Sequence, residues 1–213
     1  MLVNSTVLFQ KAQEGHYAIP SANVLDMESI KNHIHLAEKL GLPIIIGVAE
    51  SHLGDNISLE DAALVGRKYA AEASVPVVIH LDHGESYETC KKAIDLGFTS
   101  VMIDASSKPF EENIQITREV VEYAHAHGVV TVEAEIGHVA SNFDENDTET
   151  LYTTAAEASE FAAKSGCDSL AISIGTAHGV YKAKAIPEIS FDSLASIRKA
   201  TNVPLVLHGG SAS

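Results

Sequence analysis

The stretch PVVIHLDHG, residues 76–84, decides the fold, because an apolar run rich in valine and isoleucine ends there in Asp82, His83 and Gly84. A continuous rather than alternating apolar run is typical of a parallel strand that is buried on both faces. Six further runs of this kind occur, and the sequence therefore predicts seven buried strands. The predicted strands are residues 18–24, 43–49, 76–81, 100–103, 129–136, 169–174 and 204–207.

Segments with helical periodicity separate the predicted strands. They are residues 27–40, 59–73, 87–96, 111–127, 155–165 and 191–200, preceded by an extra helix at 5–14. The first of the six carries an apolar face with helical spacing, formed by Met27, Ile30, Ile34 and Ala37. Four segments are followed by a glycine, which adopts at no steric cost the left-handed conformation that ends a helix. These glycines are Gly41, Gly97, Gly128 and Gly166.

Strand and helix alternate throughout, which is the pattern of a parallel α/β fold. An open doubly wound sheet and a closed barrel both fit this alternation. No GxGxxG motif follows the first strand, and polar residues end many strands rather than one crevice, so we expect a TIM (β/α)8 barrel. The barrel is predicted as a single domain over residues 1–213, with the extra helix closing its bottom. Because only seven strands are counted, we expect the domain to be C-terminally incomplete, without its eighth strand–helix unit.

Composition narrows the class of partner. A formal net charge of −15 argues against nucleic acid and against anionic membrane surfaces, because both recruit clusters of Lys and Arg. No apolar run approaches the roughly 20 residues that a membrane-spanning helix needs, and no signal peptide is recognised. Cys90 and Cys167 are too few for a disulfide framework. We expect a cytoplasmic protein with two buried, unreactive thiols.

Polar side chains follow most of the predicted strands. Because the carboxyl ends of parallel barrel strands meet at one end, these side chains are expected to converge. Imidazoles from separate strands can supply three zinc ligands and leave a fourth position open for catalysis. The alternative for any single histidine is an ordinary hydrogen bond at a strand end. The residues concerned are Asp82, His83, Asp104, Glu133, Glu135, His178 and His208.

Glycines in the last two predicted loops suggest a phosphate site. Gly179 follows His178, and Gly209 and Gly210 follow His208, so that backbone N–H groups could approach an anion closely. Lys182 is placed to add a positive charge. Ordinary tight turns between strand and helix explain the glycines equally well.

Six motifs, in chain order, resemble the class II, zinc-dependent aldolases that act on fructose 1,6-bisphosphate, tagatose 1,6-bisphosphate and related phosphorylated ketoses. The resemblance extends over essentially the whole chain, and the order of the motifs makes it specific. The motifs are SANV at 21–24, HLDHG at 80–84, SVMID at 100–104, VEAEIG at 132–137, GTAHGVYK at 175–182 and LHGGS at 207–211.

The resemblance implies a role for each matching residue. It makes His83, His178 and His208 the ligands of one catalytic Zn²⁺. It makes Asp82 the proton-transferring residue and Asn23 a contact to the enediolate. Asp104 and Glu135 match carboxylates for an alternative metal position or for a second divalent or monovalent cation. The residues that match the phosphate cradle are Gly179, Lys182, Gly209 and Ser211.

The activity implied is cleavage of a ketose 1,6-bisphosphate, of the fructose or tagatose type, into dihydroxyacetone phosphate and glyceraldehyde 3-phosphate, and the reverse condensation. The zinc ion would act as a Lewis acid, while Asp82 would remove the C4 hydroxyl proton. The resemblance further implies a homodimer or homotetramer that takes part in glycolysis or related carbohydrate metabolism.

Three departures from the family pattern leave alternatives open. The loop after the fifth strand lacks the usual Gly-Gly hinge, so that Asp144 or Glu145 would have to serve as the loop acid. Ala49 stands where the family often carries Ser or Thr, and the eighth unit normally completes the phosphate site. The alternatives are a different phosphorylated substrate such as a deoxy-keto acid, a non-catalytic partner subunit of an aldolase, and a Schiff-base enzyme using Lys108 or Lys182.

Overall fold

A computed structural model describes residues 1–54, 56–137, 152–176 and 189–210. Strands and helices alternate in these ranges as the sequence predicts. The helices are α1 (Ser5–Gly15), α2 (Met27–Leu40), α3 (Leu59–Glu72), α4 (Tyr87–Leu96), α5 (Phe110–Ala126), α6 (Ala155–Ser165) and α7 (Phe191–Ala200). The strands are β1 (Ser21–Asn23), β2 (Ile44–Ala49), β3 (Val77–Gly84), β4 (Ser100–Ile103), β5 (Thr131–Ile136), β6 (Ser169–Ile172) and β7 (Leu205–Val206). A short 3-10 helix, Glu50–His52, was not predicted.

The strands form one sheet in which spatial order follows chain order from β1 to β7. Neighbouring strands run parallel, as in the pairs β1–β2, β2–β3, β3–β4 and β6–β7. The described part of the chain thus contains seven parallel strands and seven α-helices of a TIM-like α/β fold, which confirms the predicted α/β class.

Most strands have a bound that shifts by one or two residues from the prediction, and two strands shift by three residues at one end. The first strand, predicted at 18–24, is confined to Ser21–Asn23. It begins directly after Pro20, which has no N–H group to donate to a ladder. The third strand, predicted to end at Leu81, continues through Asp82 and His83 to Gly84. This extension carries two predicted site residues into the sheet.

The chain divides into two compact units, the first of which comprises Met1–Asp104 and Glu119–Glu133. In this unit Leu8 of α1 packs against Ile45 and Val78, which lie near the amino ends of β2 and β3. Leu8 is 1% exposed, so its burial contributes about 2 kcal/mol. The extra helix therefore covers the amino-terminal ends of these strands, as predicted.

The helix termini in the first unit follow from local side-chain chemistry. Asp26 and Ser29 form a reciprocal capping box at the start of α2, and Gly41 ends this helix with a left-handed φ of 66°. Met27, predicted to lie on the buried face, is instead 47% exposed. It is the first residue of α2, and the buried residues of this helix begin one turn later, at Ile30. Gly128 also differs from its prediction, because it lies two residues after the end of α5 with a φ of 131°.

The second unit comprises Ala105–Arg118 and Ala134–Ser213. Its core is built around Phe161 of α6, which packs with residues of β6 and α7 such as Leu170, Ile172 and Ile197. A capping box between Thr154 and Glu157 starts α6. No helix in the described ranges of either unit is long and apolar enough to cross a membrane.

Candidate active site

The carboxyl end of β3 holds Asp82 and His83, two consecutive residues whose side chains would point to opposite faces of a regular strand. The register against β4 shifts between Leu81 and Gly84, which marks a β-bulge, and His83 adopts a φ of 47°. Nε2 of His83 consequently lies 4.0 Å from Oδ1 of Asp82. The bulge therefore places the two side chains next to each other, rather than on opposite faces of the strand.

Asp104, the first residue after β4, holds the ring of His83. The Nδ1–H group of His83 donates to Oδ2 of Asp104 over 2.9 Å, an assignment made from the hydrogen-bond geometry. The backbone N–H of Asp104 also donates to the carbonyl of Gly84, at 2.9 Å. A carboxylate that accepts from one ring nitrogen fixes the tautomer and directs the lone pair of the other nitrogen outward. Asp104 thus fixes the orientation of the His83 ring, in which Nε2 could serve as a ligand atom for a metal ion.

Asn23, at the end of β1, contacts Asp82. Its Nδ2 donates to Oδ2 of Asp82 over 3.2 Å. Gly47 of β2 makes room for this side chain, since a Cβ there would lie 2.8 Å from Oδ1 of Asn23. Ala49, which stands opposite Asp82 in the register of β2 and β3, adds only a methyl group. The sequence did not single out Gly47, although a glycine inside a buried strand signals a close approach.

Gly84 is the second glycine that the site requires. A Cβ on Gly84 would lie 2.6 Å from the carbonyl oxygen of Met102 and 2.9 Å from Sγ of Cys90. Real Cβ atoms do not approach a backbone oxygen this closely, so a larger residue would displace the chain next to His83. Cys90 is fully buried there, and burial raises the pKa of its thiol to about 12, with a smaller contribution from the charge of Glu50. The prediction that both cysteines are buried is confirmed.

Solvent reaches this site in part. Asp82 is 7% exposed, whereas the side chains of His83 and Asp104 are 24% and 23% exposed. A small molecule can therefore reach the imidazole, while Asp82 is more deeply buried.

The second unit carries other predicted site residues. Glu135 of β5 is 1% exposed, and its carbonyl accepts from Nδ2 of Asn113 at 2.8 Å. Thr176, after β6, donates its hydroxyl to the carbonyl of His208, after β7, at 2.7 Å. This bond fixes the backbone where two predicted ligand loops begin. Gly209 follows with a left-handed φ of 66°.

Several predictions fall outside the described residues: Asp144, Glu145, His178, Gly179, Lys182 and Ser211. Lys108, one of the two lysines considered for a Schiff base, is exposed rather than enclosed in the apolar pocket that activates such a lysine. Within the first unit, the structure brings together Asn23, Asp82, His83 and Asp104.

Known proteins similar to this chain are aldolases, which agrees with this arrangement of side chains. The family model described as fructose-bisphosphate aldolase class-II matches residues 3–213. A fructose-bisphosphate aldolase of Geobacillus stearothermophilus is 42% identical, over 99% of this chain and 73% of its own length. The solved structure of the YdjI aldolase from Escherichia coli K12 has a TM-score of 0.88 at 39% identity, over 99% of this chain and 74% of the other. Fructose-bisphosphate aldolase from Campylobacter jejuni has a TM-score of 0.73 at 27% identity, over 99% and 71% of the two chains.

The fold and the site thus define a member of an aldolase class, which is a class of lyases. The chain belongs to the class II fructose-bisphosphate aldolase family.

Proposed function

We propose that this chain is a metal-dependent aldolase that cleaves a ketose 1,6-bisphosphate, of the fructose or tagatose type, into dihydroxyacetone phosphate and glyceraldehyde 3-phosphate, and that it catalyses the reverse condensation. The observation that carries the proposal is the arrangement of His83, Asp82 and Asp104 at the end of β3. An imidazole oriented by one carboxylate, with a second carboxylate beside it, combines a metal ligand with a proton-transferring group.

His83 is suited to bind a metal ion because Asp104 accepts a hydrogen bond from its Nδ1. This bond orients Nε2, the nitrogen that would coordinate the metal. His178 and His208, which match the other two ligand motifs, complete the proposed set. Bound there, a zinc ion would supply the Lewis acid that stabilises negative charge next to the substrate ketone. Asp104 orients the ring in this scheme, and with Glu135 it is a candidate for a second or alternative cation position.

Asp82 is the proposed proton carrier. In the cleavage direction its carboxylate removes the proton of the C4 hydroxyl, and in condensation it returns that proton to the aldehyde oxygen. Asn23 donates its hydrogen bond to Oδ2 of Asp82, and the other carboxylate oxygen, Oδ1, is the one that lies near His83. Asn23 can also turn its amide toward the substrate oxygens, as the motif match suggests.

The remaining parts of the proposal follow from the motifs. Gly179, Lys182, Gly209 and Ser211 would bind the phosphate of the dihydroxyacetone half, and the φ of 66° at Gly209 is the backbone conformation that favours glycine in such a loop. Asp144 or Glu145 would exchange the proton at the carbon of dihydroxyacetone phosphate.

We further propose a single (β/α)8-barrel domain, a homodimer or homotetramer, and a cytoplasmic role in glycolysis or related carbohydrate metabolism.

A second candidate keeps the chemistry but changes the phosphorylated substrate, for instance to a deoxy-keto acid. It is favoured by Ala49, which places a methyl group opposite Asp82 where the family often has a hydroxyl. A hydroxyl lost from a substrate-binding surface changes which substrate hydroxyl groups can be matched.

The test measures release of dihydroxyacetone phosphate and of the aldehyde product from fructose 1,6-bisphosphate, tagatose 1,6-bisphosphate and a phosphorylated deoxy-keto acid. Chelation should abolish activity and Zn²⁺ should restore it. Loss of activity with borohydride and substrate would point to a Schiff base instead. His83→Ala should be inactive, whereas His33→Ala on α2 should behave like the wild type. Failure of the zinc-loaded protein to cleave any of the three substrates would overturn the proposal.

A further inference from the structure

Glu50 joins two loops at the carboxyl end of the first unit's strands. It follows β2 directly, as the first residue of the 3-10 helix. Its Oε2 accepts from the backbone N–H of Glu85 at 2.7 Å, and its Oε1 accepts from the hydroxyl of Thr89 at 2.9 Å. Both carboxylate oxygens are therefore committed to the segment that leads from β3 into α4.

That segment begins at His83, whose positive φ is unusual for a residue with a side chain. Such a conformation costs on the order of 1 kcal/mol and persists only where the surroundings hold it. On one side, the N–H of Asp104 donates to the carbonyl of Gly84. On the other side, Glu50 accepts from the next residue, Glu85. The two contacts hold consecutive residues immediately after His83.

The charge of Glu50 also suits its position. Ser86 caps α4, and Thr89 lies in the first turn, where the helix dipole favours a negative charge. The same charge contributes to the raised pKa of the Cys90 thiol, which packs against Gly84. Cys90 is therefore a natural reporter for the packing of this segment.

We propose that Glu50 is a positioning residue that fixes the loop after β3, and through it the imidazole of His83, for metal binding. This inference rests on the proposed function in so far as His83 is a metal ligand. Glu50 itself contacts neither substrate nor metal in this scheme. Removing the carboxylate takes an acceptor from both the N–H of Glu85 and the hydroxyl of Thr89. The strained conformation of His83 is then held from the side of Asp104 alone.

The experiment compares Glu50→Ala and Glu50→Gln with Glu38→Ala. Glu38 is a matched control because its carboxylate makes the same two kinds of contact, accepting from the backbone N–H of Ser74 at 2.8 Å and from its hydroxyl at 3.0 Å. Ser74 precedes β3, however, so this clamp lies at the opposite end of the strand. Zn²⁺ affinity is measured by competition with a chromophoric chelator. The alkylation rate of Cys90 is measured by peptide mapping, independently of activity.

Glu50→Ala should bind Zn²⁺ about tenfold more weakly than wild type, as expected when a group that supports a ligand is lost, and Cys90 should be alkylated faster. Glu38→Ala should change neither quantity. Glu50→Gln keeps one acceptor oxygen, so its Zn²⁺ affinity should lie between those of the wild type and of Glu50→Ala. Should Glu50→Ala fail to fold by circular dichroism, Glu50→Gln provides the comparison.

Equal Zn²⁺ affinity in the Glu50 and Glu38 variants would overturn the inference while leaving the proposed function intact. If the wild type bound no Zn²⁺, the proposed function would fail. An unchanged rate of Cys90 alkylation in the Glu50 variants would then still refute the inference that Glu50 holds the loop.

Discussion

The two ends of β3 are built on different principles. At the amino end, Val78 continues a regular ladder and packs with Leu8 and Ile45 in an apolar cluster. At the carboxyl end, a bulge interrupts the ladder, His83 has a positive φ, and polar side chains replace apolar ones. The amino end of this strand thus stabilises the fold, whereas the carboxyl end departs from the regular ladder and carries the proposed catalytic residues. Substitutions at the two ends should have separable effects on stability and activity.

The largest expected effect is on the reaction and comes from the carboxyl end. Asp82→Asn keeps the size of the side chain and an acceptor for Asn23 but removes the proton-accepting charge. We expect kcat to fall about a thousandfold, the usual scale for loss of a general base. The measurement is steady-state cleavage of the best substrate, together with the melting temperature. A variant that retained more than a tenth of wild-type kcat would exclude Asp82 as the proton carrier.

The next effect is on stability and comes from the amino end. Leu8→Ala should lower the free energy of unfolding by about 3 kcal/mol, because it empties a fully buried site. At temperatures where the variant remains folded, kcat and KM should match the wild type. Urea titration and kinetics on the same preparation test both statements. Loss of activity in proportion to loss of stability would show that the two ends are not separable.

Asp104→Asn tests how the imidazole is oriented. The amide oxygen can still accept from Nδ1 of His83, but without a negative charge, so we expect Zn²⁺ affinity to fall about tenfold. Asp61→Asn is a suitable control, because the exposed carboxylate of Asp61 accepts from the N-cap residue Ser58 in the capping box of α3, away from His83. Chelator competition measures both variants. Equal affinities would mean that Asp104 does not support the metal site.

The smallest expected effect concerns Cys90, which packs against Gly84, the residue after His83. The Cys90 thiol, with its pKa raised from 9.0 to about 12, stays neutral in the folded protein while an exposed thiol ionises. Its contribution to stability is therefore complete below pH 9 and is lost as the pH rises from 9 toward 12. At pH 10 the difference in stability between wild type and Cys90→Ala should have shrunk by about 1 kcal/mol relative to pH 8. A difference independent of pH over this range would contradict the buried, neutral thiol.

Particular residues show why much of the fold could be predicted and part of the site could not. The buried strands and the capped helices were visible because apolar periodicity and terminal glycines such as Gly41 are local signals. Asp82 and His83 were recognised together, but their shared orientation depends on a bulge that the alternation rule does not reveal. Gly47 and Glu50 were missed because their partners, Asn23 and Glu85, are remote in sequence.

The sequence by itself determined the α/β class, the order of strands and helices, the family, and the identity of most candidate site residues, because these follow from composition, spacing and motifs read along the chain. Only the tertiary structure decided that His83 takes a left-handed backbone, that Asp104 holds its ring, and that Glu50 reaches across to the loop after β3. The physical reason is that these features depend on hydrogen bonds and close approaches between separate strands, which exist only once the sheet has formed.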